Sequence, residues 1–558
     1  MFFEHKKRFA VLFLILCFFG VSAQNAKDEK LPEEKVILTT DRTIYFAGEQ
    51  IWLKVSCIHT TQADSLSRVI YVELLDKKAK PIIQKKLQVI NGISSAVMDI
   101  QEDILSGNYY MRAYTQYMRN FDKQLFYTNE LTIINPDLPA KEGMQTIVKD
   151  AAGTHEEPKN GAPEISILST SLLTNSLIEV ELTGKEQEDI TVSIVKKGSY
   201  ESASVGVNKY YKNSPAGESE KKLKWYPEIR SVSISGKVLD KQSGKPLNNM
   251  LVYASIVDSA KQFHVTKTNS DGAFAFVLMN LHNNHQVYIG TEAEATLLVN
   301  PDFAAGLPAA DYRTFKVDDT KRTLMNELYT NAQVTSVYKQ ETPVMQTYLD
   351  TLPDPFRSSE EIIYFKDYVA LPTMTDMFNE IIPYTKVKIR KEGSRIQLAN
   401  RTDKVFFENT LILLDNIPFH DHVTLLNLPP SKIKSVSVIP NRYVYGDEIL
   451  NGVINIKSKD GNLAGLQLPK DISVVEYITY NPDVKASFDK PAAFSPNKPG
   501  FKNTLYWNPN VNLKEGKQKI QFYTGDEISD YDIVVRSIDT KGEVATKIKT
   551  FSVVKANK

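Results

Sequence analysis

Between Val36 and Pro136 apolar and polar residues alternate in short runs, and this period of two constrains the fold more than any other feature of the chain. Ile51-Trp52-Leu53-Lys54-Val55 and Val69-Ile70-Tyr71-Val72-Glu73-Leu74 are two such runs. Ala47-Gly48-Glu49, Asn91-Gly92 and Ser106-Gly107-Asn108 supply the turns around them. Short strands recurring about every 8 to 12 residues predict an antiparallel β-sandwich rather than a βαβ sheet.

The pattern does not begin at the N-terminus. Lys6, Lys7 and Arg8 precede an apolar stretch from Phe9 to Phe19, and Val21-Ser22-Ala23 follows with small residues, so 1–23 reads as an export signal with a mature start at Gln24. Leu16 before Cys17 is too large for a lipid-attachment site, and Cys17 is expected to leave with the signal. That leaves Cys57 as the single cysteine, which excludes an intrachain disulfide and a cysteine-rich metal site. After the signal 558 minus 23, or 535, residues remain, a length that predicts about three to five domains. The 67 Lys and Arg balance the 67 Asp and Glu, so bulk charge selects neither nucleic acid nor anionic lipid. No later stretch reaches the roughly 18 apolar residues of a membrane span.

Farther along, 137–163 is polar, contains Ala-Ala-Gly and Asn-Gly-Ala-Pro, and reads as a linker. Leu177 to Lys197 alternates again, and Tyr200 to Lys224 reads as a long polar loop. From Val232 to Thr291, SISGKVLDKQSGKPLNNMLVYASI and TNSDGAFAFVL read as strands with Asp271-Gly272 at a hairpin tip. Arg322 to Gln340 carries Leu324, Leu328, Ala332 and Val337 on one helical face. A second helix is expected at Met374–Ile382, capped by Thr373 with Asp376 at its third position and stopped by Pro383. From there to Lys459 the pattern is mixed: NTLILLDNIPF reads as a buried strand and turn, 431–440 as a strand, and YGDEILNGVINIKSKDG as a turn and last strand. Thr504 to Val554 alternates once more.

The fold class expected is therefore mainly β, tandem antiparallel sandwiches plus one small α+β domain. The divisions are a signal at 1–23, an extension at 24–35, a sandwich at 36–136, a linker at 137–163 and a second sandwich with a long loop at 164–230. A third sandwich follows at 231–300, a helical or irregular connector at 301–360, the α+β domain at 361–470, a connector at 471–503 and C-terminal sandwich elements at 504–558.

Particular strings resemble known modules. TDRTIYFAGEQIWLKV, VIYVELLDKKAKPI and LSGNYYMRAYTQYMRN, in that order, resemble the second domain of α2-macroglobulin-type proteins in its bacterial envelope version, and 164–230 resembles a later repeat of the same kind. The 232–291 strings resemble the carboxypeptidase-regulatory-like domain, a prealbumin-type sandwich without hydrolase residues. LLDNIP, IKSVSVIP and the YG turn before NGVINIKSK resemble the plug of TonB-dependent outer-membrane receptors, with Asn416 where the family has Gly, a change that a left-handed turn tolerates. LYWNP and FYTGD resemble the ending of Gram-negative envelope proteins that join these modules. The resemblance implies an exported protein of the periplasm or outer membrane, with envelope or outer-membrane proteins as partners and an accessory part in TonB-dependent uptake. A receptor barrel needs about 22 strands of about 10 residues each, whereas 558 minus 459, or 99, residues follow Lys459. The expectation is a plug-like domain acting as a scaffold.

No catalytic, cofactor-binding or metal residues are assigned. The macroglobulin thioester motif GCGEQ is missing, and Cys57 in WLKVSCI reads as a small core residue. His420-Asp421-His422 and His282-x-x-His285 have ligand-like spacing but lie in turn contexts, and read as solvated loop histidines. G-x-S-x-G and phosphate-binding glycine motifs are absent, leaving Ser106-Gly107 and Ser243-Gly244 as turns. Glu360-Glu361 and Asp447-Glu448 would point to opposite faces of a strand. Most of the aromatics are expected in sandwich cores, and Tyr109-Tyr110, Tyr114, Tyr117 and Tyr210-Tyr211 are the stretches where an exposed patch would be sought. A non-enzymatic binding scaffold is the leading expectation. The alternatives are a thioester-less macroglobulin-like protease sensor or inhibitor, with 137–163 and 200–224 as cleavable loops, and a hydrolase whose acids come together only in the fold.

Overall fold

The computed structural model describes residues 34–59, 67–138, 161–186, 189–201, 223–258, 260–279, 281–306, 322–338, 344–345, 355–356, 361–389, 393–407, 409–481, 484–485 and 499–556. The signal and almost all of both cleavable-loop candidates, including Tyr210-Tyr211, lie outside these residues. Of the described residues half are strand and 11% helix, and the sheets form sandwiches as the alternation predicts.

The head sandwich faces a three-stranded sheet (Glu34–Thr40, Gln50–His59, Ile93–Asp99) against a five-stranded one (Ile44–Phe46, Tyr127–Ile134, Gly107–Tyr114, Val69–Leu75, Pro81–Gln88). Ile51, Leu53, Val55 and Cys57 point into its core from one face of a single strand, and Cys57 is buried there as a small apolar residue.

The second and last sandwiches of the sequence reading are one body. Leu177–Thr183 pairs antiparallel with Lys517–Tyr523 in full register, Leu177 opposite Tyr523 and Thr183 opposite Lys517. Asp189–Lys196 lies between Thr504–Val511 and Asp530–Ile538, and Val544–Ser552 forms the edge. Ile178, Val180, Ile194, Trp507, Phe522 and Tyr531 share its core. The separation of 164–230 from 504–558 is thus corrected: alternation marks a strand but names no partner, and each half supplies only part of two sheets.

A middle sandwich is inserted into this split one. Its sheets are Ala273–Leu278, Val232–Leu239 and Thr296–Val299, and Gln262–Lys267, Leu251–Ile256, Asn284–Thr291 and Ser473–Ile478. The last strand comes from the expected connector 471–503 and pairs Val475 with Val287. Gly272, at φ +68°, turns the hairpin where Asp271-Gly272 was expected, and a Cβ there would stand 2.6 Å from the Val238 carbonyl oxygen.

The α+β unit is in turn inserted into the middle sandwich. Its five-stranded sheet runs Glu361–Tyr364, Ile433–Tyr445, Glu448–Ser458, Leu411–Leu414, Ile417–Pro418, with Leu411–Leu414 parallel to Glu448–Ser458 and antiparallel to Ile417–Pro418. The Thr373 hydroxyl accepts from the Asp376 amide at 3.1 Å, as the capping reading requires, and the helix runs on into a π-turn at Met377–Ile381. Asp415 and Asn416 both have positive φ in the turn before Ile417, and the Asn416 side chain accepts from Asn455 Nδ2 at 2.8 Å. The expected helix at 322–340 is present as Arg322–Tyr338.

Candidate functional site

The head motifs do their work at joints between units. In TDRTIYFAGE, Asp41 is fully buried and accepts from the Tyr45 hydroxyl at 2.7 Å, the Trp52 amide at 3.1 Å and, from the split sandwich, the Thr504 hydroxyl at 2.7 Å. Arg42 donates to Glu49 Oε2 at 3.0 Å, while Glu49 Oε1 accepts from Asn503 Nδ2 at 2.9 Å. Burial raises the Asp41 pKa, with Arg42 and these donors acting against it. On the next strand Trp52 enters the core of the split sandwich and Lys54 and Ser56 bind Asp189. The polar half of WLKVSC is therefore an interface, not a solvated face.

The RAYT string is used the same way. Arg112 stands directly across from Glu73 in the sheet, and the two carry side-chain exposures of 1% each. Its Nη2 also donates to the Ala304 carbonyl at 2.6 Å, its Nη1 binds Gly306, and the Tyr114 hydroxyl accepts from the Ala304 amide at 2.8 Å. Residues 304–306 follow the middle sandwich, so the ion pair fastens that sandwich to the head. Charge-assisted bonds of this kind offset the desolvation of both ions.

The densest joint lies one strand away. Lys86, with no solvent exposure, pairs with Asp302 at 2.7 Å and sits 3.7 Å over the Tyr477 ring and 5.1 Å from that of Tyr71. Glu228 accepts from the Ser233 amide at 2.6 Å and hydroxyl at 2.8 Å. Burial lowers the Lys86 pKa, raises that of Asp302 and pushes Glu228 up to about 7. Arg119 stacks 3.6 Å over Trp225 and donates to the Asp302 carbonyl at 2.8 Å. A cavity of about 300 Å³ beside them is lined by Gln116, Trp225, Ser233, Asp302, Glu476 and Tyr477, among others. Nothing in the sequence marked this group, because Lys86, Glu228, Asp302 and Tyr477 come from four distant segments and Lys86 occupies what looks like the wet face of a strand.

The residues singled out by spacing fare differently. His285 is 6% exposed, with Nδ1 at 2.6 Å from Asp258 and Nε2 at 2.8 Å from the His282 carbonyl. His422 Nδ1 accepts from the Ile396 amide at 3.0 Å, and His420 binds the Thr291 carbonyl. The reading of these as solvated is corrected: they pin loops and strands. Burial, with Arg395 nearby, lowers His422 to about 4. Among the described residues no group of three or more His, Cys, Asp or Glu is arranged to hold a metal. Tyr109, Tyr110, Tyr114 and Tyr117 are all buried, so they form core and not an exposed patch. Glu448 is tied to Lys267 at 2.7 Å, and Glu360 lies outside the described residues.

No protein-family model and no curated protein matches the chain. Solved structures that resemble it include α2-macroglobulin of Salmonella reacted with methylamine, 7% identical over 94% of this chain and 39% of that one, with a TM-score of 0.23. Escherichia coli α2-macroglobulin activated by porcine elastase is 9% identical over 94% of this chain and 44% of its own, with a TM-score of 0.24. The D0-D1 domain of intimin is 10% identical over 48% of this chain and 97% of its own, with a TM-score of 0.14. The chain thus spans less than half the length of these macroglobulins.

What the units leave exposed is uneven. Of the 25 exposed large hydrophobic residues among those described, ten lie in the α+β unit: Ile362, Tyr364, Tyr368, Val369, Ile389, Val405, Phe406, Val423, Val444 and Ile449. Val444 and Ile449, 70% and 59% exposed, face each other at the end of the long hairpin. No described helix is long and apolar enough to cross a membrane.

Proposed function

We propose that the chain is an exported, non-enzymatic scaffold of a Gram-negative envelope, in which three sandwiches form a rigid mount for the α+β unit, the element that engages an envelope or outer-membrane protein. The observation that carries this reading is the contrast between joints and surface. Polar side chains of the head are spent on buried contacts to its neighbours, whereas exposed apolar side chains gather on the α+β unit, as contact surfaces require. That unit is itself fastened to the mount: Ser255 donates to the Asn416 carbonyl at 2.8 Å, Tyr445 donates to the Phe263 carbonyl at 2.8 Å, and Tyr253, Phe263, Phe356, Leu411 and Leu450 share one apolar cluster. The reading of 1–23 as an export signal and the resemblance of 411–459 to a receptor plug support this choice of compartment and partner.

Photo-crosslinking residues placed at Val369, Val444 or Val405 in the native host should give one discrete adduct, the same from each position. The exposed sandwich positions Ile90 and Ile528 should give none. Adducts of equal yield from both sets, or none from either, would contradict the assignment.

A further inference from the structure

Lys86 and Asp302 meet under conditions that favour more than an ion pair. The amine is sealed from solvent between the rings of Tyr477, Tyr71 and Phe303, at 3.7, 5.1 and 5.8 Å, and its nitrogen stands 2.7 Å from Asp302 Oδ1. A second carboxyl, that of Glu228, is buried in the same joint, where it accepts from the Ser233 amide at 2.6 Å while the Ser233 carbonyl accepts from the Tyr477 hydroxyl at 2.6 Å. We propose that Lys86 and Asp302 condense, without any other enzyme, into an isopeptide bond that clamps the head to the middle sandwich, with Glu228 relaying the protons.

The chemistry needs a neutral amine and a protonated acid, and burial favours both: an ammonium is costly where no water reaches it, as at Lys86, and a carboxylate where little does, the Asp302 side chain being 21% exposed. The Lys86 pKa is lowered and that of Asp302 raised, in each case chiefly by burial. The Lys86 nitrogen lone pair attacks Asp302 Cγ. The nitrogen loses its proton to the relay, the relay returns a proton to one Asp302 hydroxyl, and that oxygen leaves as water. One C–N bond forms, one C–O bond breaks, and no electron or net proton is exchanged with anything outside. The adjoining cavity, which Asp302 and Tyr477 line, gives the water an exit.

Two other buried lysines lack the full arrangement. Lys54 meets Asp189 beside the Ser56 hydroxyl, and among the described residues no second carboxyl pairs with it. Lys196 meets Glu527 and Glu327, but Glu327 is 49% exposed, so the amine is not enclosed between two buried carboxyls. These pairs are expected to form no covalent bond and act as internal controls. The inference concerns the mount alone and stands apart from what the α+β unit binds.

The test is the intact mass of the purified, denatured full mature chain, compared with the mass calculated from its measured N-terminus. Loss of one water is expected, together with a branched tryptic peptide joining the Lys86 and Asp302 segments. Lys86→Arg and Asp302→Ala should each restore their own calculated mass, and Glu228→Gln, which keeps a hydrogen-bond acceptor for Ser233, should slow or abolish the loss. A wild-type chain of full calculated mass after prolonged incubation near neutral pH overturns the proposal, as does a water loss mapped to an unbranched peptide. Unchanged bond formation in Glu228→Gln would remove the relay and leave the bond. The wild-type measurement decides the main point even if a variant fails to fold.

Discussion

Trp52 leaves the head sandwich and enters the core of its neighbour, so its indole belongs energetically to two units at once. Trp52→Ala should cost about 3–5 kcal/mol, the range for emptying a buried aromatic site, and should do so mainly by loosening the head from the split sandwich. Chemical denaturation checks it: the variant should unfold in two separable steps where the wild type unfolds in one. His422 supplies a pH test. Its folded pKa, about 4, lies below the ordinary 6.5, so the unfolded chain takes up a proton that the folded chain refuses. The stability it supports is present above pH 6.5 and is lost as pH falls from there towards 4. The protection factors of the Arg395–Leu398 amides, which His422 anchors through the Ile396 amide, should fall over that window once the intrinsic pH dependence of exchange is divided out, and His422→Gln should flatten the dependence.

At the scale of elements, the long hairpin of the α+β unit depends on Gly452. Its φ is +71°, and a Cβ there would lie 3.0 Å from the Ile439 carbonyl oxygen and 2.5 Å from Leu398 Cδ2. It lies close to the shift in register between Ile439 and Arg442. Gly452→Ala should destabilise the unit by about 1–3 kcal/mol through backbone strain and crowding, read as a lower melting temperature, whereas Gly446→Ala, with open space around it, should pay only the backbone term. Elements of this kind are where the sequence was most legible. Thr373, Asp271-Gly272 and the turn at Asn416 announce themselves because caps and tight turns demand particular side chains over a few residues. Lys86, Arg112 and Lys54 did not, since in an alternating strand a charged residue facing solvent and one facing another domain look alike. His285 and His422 were misread for the same reason: spacing shows which histidines are neighbours, but not what covers them.

For the whole molecule, nesting is the property that local pattern could not reveal. Strand Leu177–Thr183 finds Lys517–Tyr523 across more than half the chain, and Asn284–Thr291 finds Ser473–Ile478 across the entire α+β unit. Each insertion leaves and re-enters its host within one sandwich, which limits how far an inserted unit can swing, and the buried joints at Asp41, Arg112 and Lys86 restrict it further. Hydrogen exchange on a chain ended at residue 498 tests this most directly. Without Thr504–Val511, Lys517–Tyr523 and Asp530–Ile538, the amides of Leu177–Thr183 and Asp189–Lys196 should lose protection and exchange like an unfolded segment. Protection equal to that of the full chain would mean that those strands make a domain without the C-terminal ones, and the nested architecture would be wrong.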